Sequence, residues 1–455
     1  MGGFSSFALS FSIISVLTGI VTTYDLAIQN GGPAALGLGW PLVSVGTLLV
    51  ALALGELASA FPTAGALYHW SALLGGPGWG WFVAMMNLVG QFAIIAAIDL
   101  GCAQNAAETL RVPAAAVPWV FVAIVVSHLI INLFSVRLVA WMNDFSATVH
   151  IAGVTVLCAV LILVGRAHPL GYMTTTGITT RRDGNYTLGF VNALLLGMWT
   201  FTGFDASAHV SEETHDPARR APWGIVSSVV VSAIAGYALV TAITLAVSDL
   251  PATQAAKFPA LFVLRRVAGE GWGSAAMGLA IVAMWFCGLS CVTSASRTLY
   301  AFARDGGVPG AAALRKVSPR WKTPHLSIVA SCAIPLALGL SSAVLSDDQF
   351  LAVASLATTA LYVSYAIPIA LGAIARRRGR WHRMGPWHLG RAGLPIAWLA
   401  LGWSAFVLIA FGVPHGAAYL VLVAGVAAVL LVIYLARVRG RFAGPRIVLA
   451  KMEKS

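Results

Sequence analysis

Charge is what this sequence has least of. Only 10% of its 455 residues are Asp, Glu, Lys or Arg, against about 25% in soluble domains. With 59% hydrophobic residues and a mean hydropathy of +0.85, a water-soluble globule is excluded. Acid is scarcest, at 16 Asp and Glu against 28 Lys and Arg. The five cysteines (Cys102, Cys158, Cys287, Cys291 and Cys332) never form the CxxC spacing of a zinc or redox site. Cys287 and Cys291, one helical turn apart, read as small buried hydrophobes. Neither HExxH nor GxSxG occurs, so the common metalloprotease and serine-hydrolase signatures are missing. No connection between apolar runs is long enough for an appended soluble domain. The chain is therefore read as a non-enzyme with no cofactor, no metal and no obligatory protein partner, acting within the bilayer.

What is abundant is apolar sequence. A membrane-spanning helix needs about 20 mostly apolar residues. Twelve such runs are present: 5–29, 39–59, 79–103, 116–136, 145–164, 188–211, 224–248, 273–303, 325–345, 349–375, 392–412 and 414–436. The first lacks the basic start and small-residue cleavage site of a removable signal. Of the 28 Lys and Arg, 21 fall in the even-numbered connections and the C-terminal tail, which places both termini in the cytoplasm by the positive-inside rule. The net charge of +12 then reports topology and contact with anionic lipid. RRRGRWHR (376–383) is a loop beside the membrane, not a nucleic-acid patch.

Against this background WTFTGFDASAHVSEET (199–214) stands out. A charge at mid-bilayer costs at least ~2.5–3.5 kcal/mol on insertion scales, so an acid such as Asp205 marks a functional site by default. Glu212 and Glu213, followed by THDPARR, read instead as the end of the helix. Gly203 has two readings, an unwound backbone or a small residue for close helix packing. A second stretch decides between them. SVLTGIVTTYDLAIQNGGP (15–33) again interrupts an apolar helix, with Thr18, Gly19, Thr22, Thr23 and Asp25. Glycine-interrupted helices at the start of two five-helix halves are the signature of an inverted-repeat secondary carrier with a mid-membrane site. The expected organisation is an all-α membrane protein: a first repeat at 1–165, an inverted second repeat at 188–375, two further helices in 391–437 and a cytoplasmic tail at 438–455.

Four segments in order carry a resemblance over nearly the whole chain: FSIISVLTGIVTTY (11–24), GELASAFPTAGALYHW (55–70), WTFTGFDASAHVSEET with DPARRAP (216–222), and SASRTLYAFARDGGVP (294–309). The sequence resembles the amino acid-polyamine-organocation transporter superfamily, which has the leucine-transporter fold, and within it the amino acid/choline family that includes fungal GABA and choline permeases. The resemblance implies that Thr18, Gly19 and Ile20 offer backbone amides to a substrate carboxylate, as a helix N-terminus does. It implies that Trp199, Thr202, Gly203 and Phe204 form the opposite wall. Asp205 matches an acid implicated in proton sensing in arginine/agmatine antiporters. His150, in NDFSATVHIAG (143–153), lies where some proton-coupled relatives carry a lysine beside the first break, and a histidine there titrates near neutral pH.

Plain alternatives stand beside these roles: lipid-facing packing for Trp199, a helix-to-helix hydrogen bond for His150, and packing or polar glue for His128 and Asn132. Two departures are visible. Such relatives carry a polar, basic leader where this chain starts MGGFSSFALS, the pattern a shortened start would give, and Asp25 replaces a small neutral residue. Asp25 either attracts a substrate amine or faces the outer vestibule.

The expected function is a permease for amino acids or related amines such as GABA in a cell membrane, with a bacterial inner membrane as the expected setting. Protons are the expected coupling ion, by symport or antiport. A choline or polyamine carrier and an amino acid exchanger are the alternatives, the former drawing on cation-π contacts worth about 0.5–2 kcal/mol.

Overall fold

The computed structural model describes residues 2–134, 136–177, 185–345 and 349–445. Among them there are helices and turns and no strand. The chain begins with α1 (Gly3–Ile14) and α2 (Val16–Asn30), two half-helices of one span, followed by α3 (Gly32–Ala60), short α4 (Leu67–Gly75), α5 (Pro77–Leu110), α6 (Val117–Phe134) and α7 (Val136–Leu163). The second set has a span broken into α8 (Tyr186–Ala193), α9 (Leu195–Thr200) and α10 (Ala206–His209). Then come α11 (Pro217–Leu245), α12 (Leu250–Ala255), α13 (Pro259–Arg304), α14 (Ala311–Leu314), α15 (His325–Leu345), α16 (Gln349–Arg377) and α17 (Gly393–Ile433).

Proline sets several of the starts. Pro33, Pro77, Pro217 and Pro259 stand in the first turn of α3, α5, α11 and α13, where the missing N–H needs no partner. The outer helices turn apolar side chains outward. On α6, Phe121, Val125, His128 and Asn132 are buried while Trp119, Val126, Ile130 and Phe134 are exposed, the reverse of a water-facing helix and suited to lipid.

Nine helices among the described residues are long and apolar enough to cross a membrane, and three shorter apolar ones, Tyr186–Thr200, His325–Ser341 and Ala424–Ala436, accompany them. The sixth expected span is short because it unwinds after Thr200. The eighth is longer than expected, since α13 begins at Pro259 and kinks at Gly269 (φ 80°). The expected eleventh and twelfth runs both fall along α17 (Gly393–Ile433), with apolar stretches at Gly390–Gly412 and Ala424–Ala436. Arg181 and Arg182, between the fifth and sixth expected spans, and the tail beyond residue 445 lie outside the described residues.

The broken spans sit side by side at the centre. α1 packs on α10, α11, α7 and α13, whereas α2 packs on α8, α9 and α13. α13 packs on both halves of the first broken span and α16 on α9, α5 lies against α13 and α16, and α17 covers α16 and α3.

Candidate functional site

The second break follows the sequence expectation. α9 stops at Thr200, and Gly203 has φ 78° before the chain re-enters a helix at Ala206. Only glycine takes that backbone without strain, and a side chain here would run into Ile13 on α1. The freed groups find distant partners. The Gly203 N–H donates to Tyr365 Oη at 3.2 Å, and that hydroxyl donates to Asp205 Oδ1 at 2.7 Å. Ser10 Oγ donates to the Phe204 carbonyl at 2.8 Å and accepts the Ser207 N–H at 2.9 Å. Asp205 Oδ2 receives His209 Nε2 at 2.9 Å and Asn87 Nδ2 at 3.4 Å.

The first break is displaced from the expectation. It falls at Ser15, not Gly19: Ser15 has φ 36° and ψ 80°, between α1 and α2. Gly19 lies within α2, with its N–H bonded to the Ser15 carbonyl at 3.0 Å. The physical reason is capping. Ser15 Oγ accepts the Thr18 N–H at 3.3 Å, the bond of a good N-cap residue. Gly19 instead provides close approach, since a Cβ there would overlap the Thr200 side chain. Of the three amides expected at the break only that of Thr18 is there. The amides without a helical acceptor belong to Val16 and Leu17, and Ile20 is inside the helix.

His150 reaches the break directly. Its Nδ1 lies 2.8 Å from the Ser146 carbonyl and its Nε2 2.7 Å from Ser15 Oγ. A carbonyl only accepts, so Nδ1 carries a proton; Nε2 accepts the Ser15 hydroxyl when the ring is neutral and donates to it when the ring is protonated. Ser15 Oγ also meets Thr18 Oγ1 at 2.5 Å. The strained residue is thus held from three sides.

Two cavities flank these elements. A small one, ≈10 Å³, is lined by Gly203 and Asp205 together with Ile13, Gln91, Ile94, Cys291, Ser294 and Leu361. Trp199, Thr202 and Phe204 are close by but do not line it. Trp199 packs edge-on against Phe350 with ring centres 5.7 Å apart, Thr202 Oγ1 donates back to the Trp199 carbonyl at 2.8 Å, and Phe204 lies tilted on Tyr365 at 5.0 Å. The larger cavity, ≈720 Å³, opens at the far end of α2 and α5, with Asp25, Glu108, Lys257 and Phe350 in its wall. Asp25 therefore faces a vestibule.

The opposite, basic face is clasped shut. Arg304 grips Glu212 through two bonds of 2.8 and 2.9 Å, Arg297 Nε meets Glu213 at 3.2 Å, and Tyr68 Oη donates to Asp305 at 2.9 Å with His69 Nε2 at 3.2 Å. Glu212 and Glu213 do mark a helix end, and they also tie it to α13. Burial works against the Glu212 carboxylate, but the Arg304 guanidinium outweighs it and holds its pKa below the usual carboxylate range.

Sequence reasoning missed Ser10, Tyr365, Asn87 and His209 as partners of the second break. Ser6 and Ser10, one turn apart on an apolar helix, were the available signal for the first of these: Ser207 Oγ donates to the Ser6 carbonyl at 2.6 Å. Tyr365 comes from a span too distant in sequence to be paired by inspection. His128 and Asn132 make polar contacts between helices, as the polar-glue reading expects. His128 faces Asp99, and Asn132 Oδ1 accepts Thr293 Oγ1 at 2.8 Å.

Two interlocking broken helices inside a wall of spans define a multi-pass membrane transporter. Comparison with known proteins gives the family. The sequence model of the amino acid permease family matches residues 1–436. The chain is 34% identical to the amino-acid permease BAT1 of Arabidopsis thaliana over 97% of its own length and 92% of that protein. It is 35% identical to the BAT1 homologue of rice over 90% and 84% of the two chains, and 27% identical to the GABA-specific permease of Saccharomyces cerevisiae over 89% and 74%. The chain belongs to the amino acid permease family and is a transporter, not an enzyme. These relatives come from plants and a yeast, which gives the expected bacterial inner membrane no support.

Proposed function

We propose that the chain is a proton-driven secondary carrier of amino acids or related amines such as GABA, working by alternating access. The observation that carries this is the pair of neighbouring breaks, at Ser15 with His150 against it and at Gly203 with Asp205 against it. A substrate carboxylate caps α2 at the Val16, Leu17 and Thr18 amides. Trp199, Thr202, Gly203 and Phe204 form the other wall, and the substrate amine meets the carbonyls around Gly203. The segments 1–165 and 188–375 act as inverted repeats, a reading supported by the pairing of α1 with α10 and of α2 with α8 and α9. The basic face is cytoplasmic, with both termini, so the larger cavity opens outward.

Coupling runs through hydroxyl orientation. A neutral His150 accepts the Ser15 hydroxyl proton; a protonated ring donates to Ser15 Oγ and turns that proton toward Thr18 Oγ1, altering the cap of α2. Asp205 is the second proton-linked group. Its oxygens are already engaged by Tyr365 and His209, which weighs against a choline or polyamine carrier, since such a cation needs an unspent carboxylate.

Competition of labelled GABA, alanine and choline uptake in proteoliposomes, with and without a proton gradient, tests the proposal. GABA or alanine should accumulate only with the gradient, and choline should not compete. Choline accumulation overturns the substrate class, and gradient-independent exchange overturns proton coupling.

A further inference from the structure

One buried acid–base pair has no part in the transport scheme above. Asp99 on α5 and His128 on α6 are both fully buried, with His128 Nδ1 3.2 Å from Asp99 Oδ2. Asp99 Oδ1 and His128 Nε2 have no hydrogen-bond partner among the described residues. α13 closes over the pair. A Cβ on Gly288 would overlap Asp99 Oδ1 and crowd the His128 ring, and the Trp285 ring lies 5.1 Å from the imidazole centre. A half-satisfied buried pair is a poor stabiliser, and apolar residues of like size serve packing as well or better.

We propose that Asp99 and His128 form a separate intramembrane proton-binding site, loaded from the larger cavity and linked to the first broken helix through α13. The link to transport rests on the carrier reading; proton binding itself does not. With one proton on Nε2, a second proton shared between Oδ2 and Nδ1 leaves the pair neutral, the form suited to a closed apolar setting, and loss of that second proton leaves one net negative charge that demands water. Leu100 and Gly101, next along α5, and Phe121 of α6 line the ≈720 Å³ cavity, so water approaches within one residue of Asp99. On the other side, Cys287, adjacent to Gly288, donates Sγ–H to the Ile13 carbonyl at 3.1 Å. That carbonyl lies in the last turn of α1, where helical donors run out. A shift of α13 at Gly288 therefore moves the contact that caps α1.

The titratable groups around the pair are thiols: Cys102 on α5, Cys287 and Cys291 on α13, and Cys332 on α15. The other candidates face elsewhere. His150 on α7 faces Ser15, Tyr365 on α16 faces Asp205, and Asp25, Glu108 and Lys257 face the cavity.

Infrared difference spectra of purified protein in lipid nanodiscs, recorded across a pH jump without substrate, test the site. The wild type should show a carboxylic C=O band that is lost in Asp99→Asn, moved in His128→Gln and kept in Asp205→Asn. Asp99→Asn retains an amide able to bond His128, and in proteoliposomes it should keep substrate exchange while losing gradient-driven accumulation. Difference spectra in which neither Asp99→Asn nor His128→Gln alters any band overturn the proton site. Full gradient-driven accumulation by folded Asp99→Asn overturns its link to transport. Failure of the carrier reading would show separately, as absent uptake by the wild type.

Discussion

The two breaks reach the same end by different chemistry. At Gly203 the backbone is free to unwind because the residue lacks a Cβ. Ser15 is not so favoured: a non-glycine residue at positive φ costs of order 1–3 kcal/mol, and here the Thr18 amide, the Thr18 hydroxyl and His150 hold it in place. One break is thus fixed by what a residue lacks, the other by what surrounds it. Both breaks have a titratable neighbour, Asp205 at the second and His150 at the first, but only at Ser15 is a strained backbone held in part by one.

Several substitutions break or sharpen this contrast. Gly203→Val should reduce uptake by about 100-fold or more, the cost of displacing a site by about 1 Å, with folded protein retained by size-exclusion chromatography. The same readout on His150→Ala should show a flattened pH profile, and an unchanged profile would remove His150 from coupling. Ser15→Gly keeps the turn but loses the cap, worth ~1 kcal/mol or less. It should therefore stay folded by thermal melting while its uptake loses the same pH dependence as His150→Ala. Asp205→Asn should lower gradient-driven uptake of GABA or alanine about tenfold, the equivalent of ~1.5 kcal/mol for a hydrogen bond to a charge, and change its pH profile; a lower rate with an unchanged pH profile would make Asp205 structural.

The smallest effect belongs to the basic face. Because the pKa of Glu212 is depressed, its contribution is complete above its ordinary value of 4.5 and is lost as pH falls below it. Glu212→Gln should thus loosen the clasp equally at pH 6 and pH 8, by about 0–1 kcal/mol, read as cysteine accessibility from that face.

Legibility in the sequence follows the same division. The run of spans and the break at Gly203 were readable because apolar length and glycine are local signals. The first break was misplaced by four residues, since Ser15 looks like any small polar residue in an apolar helix and Gly19 looks like a breaker. Its cap becomes visible only when α7 brings His150 alongside. Asp99 was readable in principle, as a lone acid in QFAIIAAIDLG (91–101) by the same rule that singled out Asp205. Its partner His128 is on another helix, and pairing across helices is not written in local sequence.

The most direct test is an experimental structure with a bound substrate, using whichever of GABA or alanine competes in uptake. The account predicts the solute's carboxylate against the Val16, Leu17 and Thr18 amides and its amine beside Gly203, with both helices interrupted. Unbroken helices through Ser15 and Gly203, or a solute bound elsewhere, would contradict it.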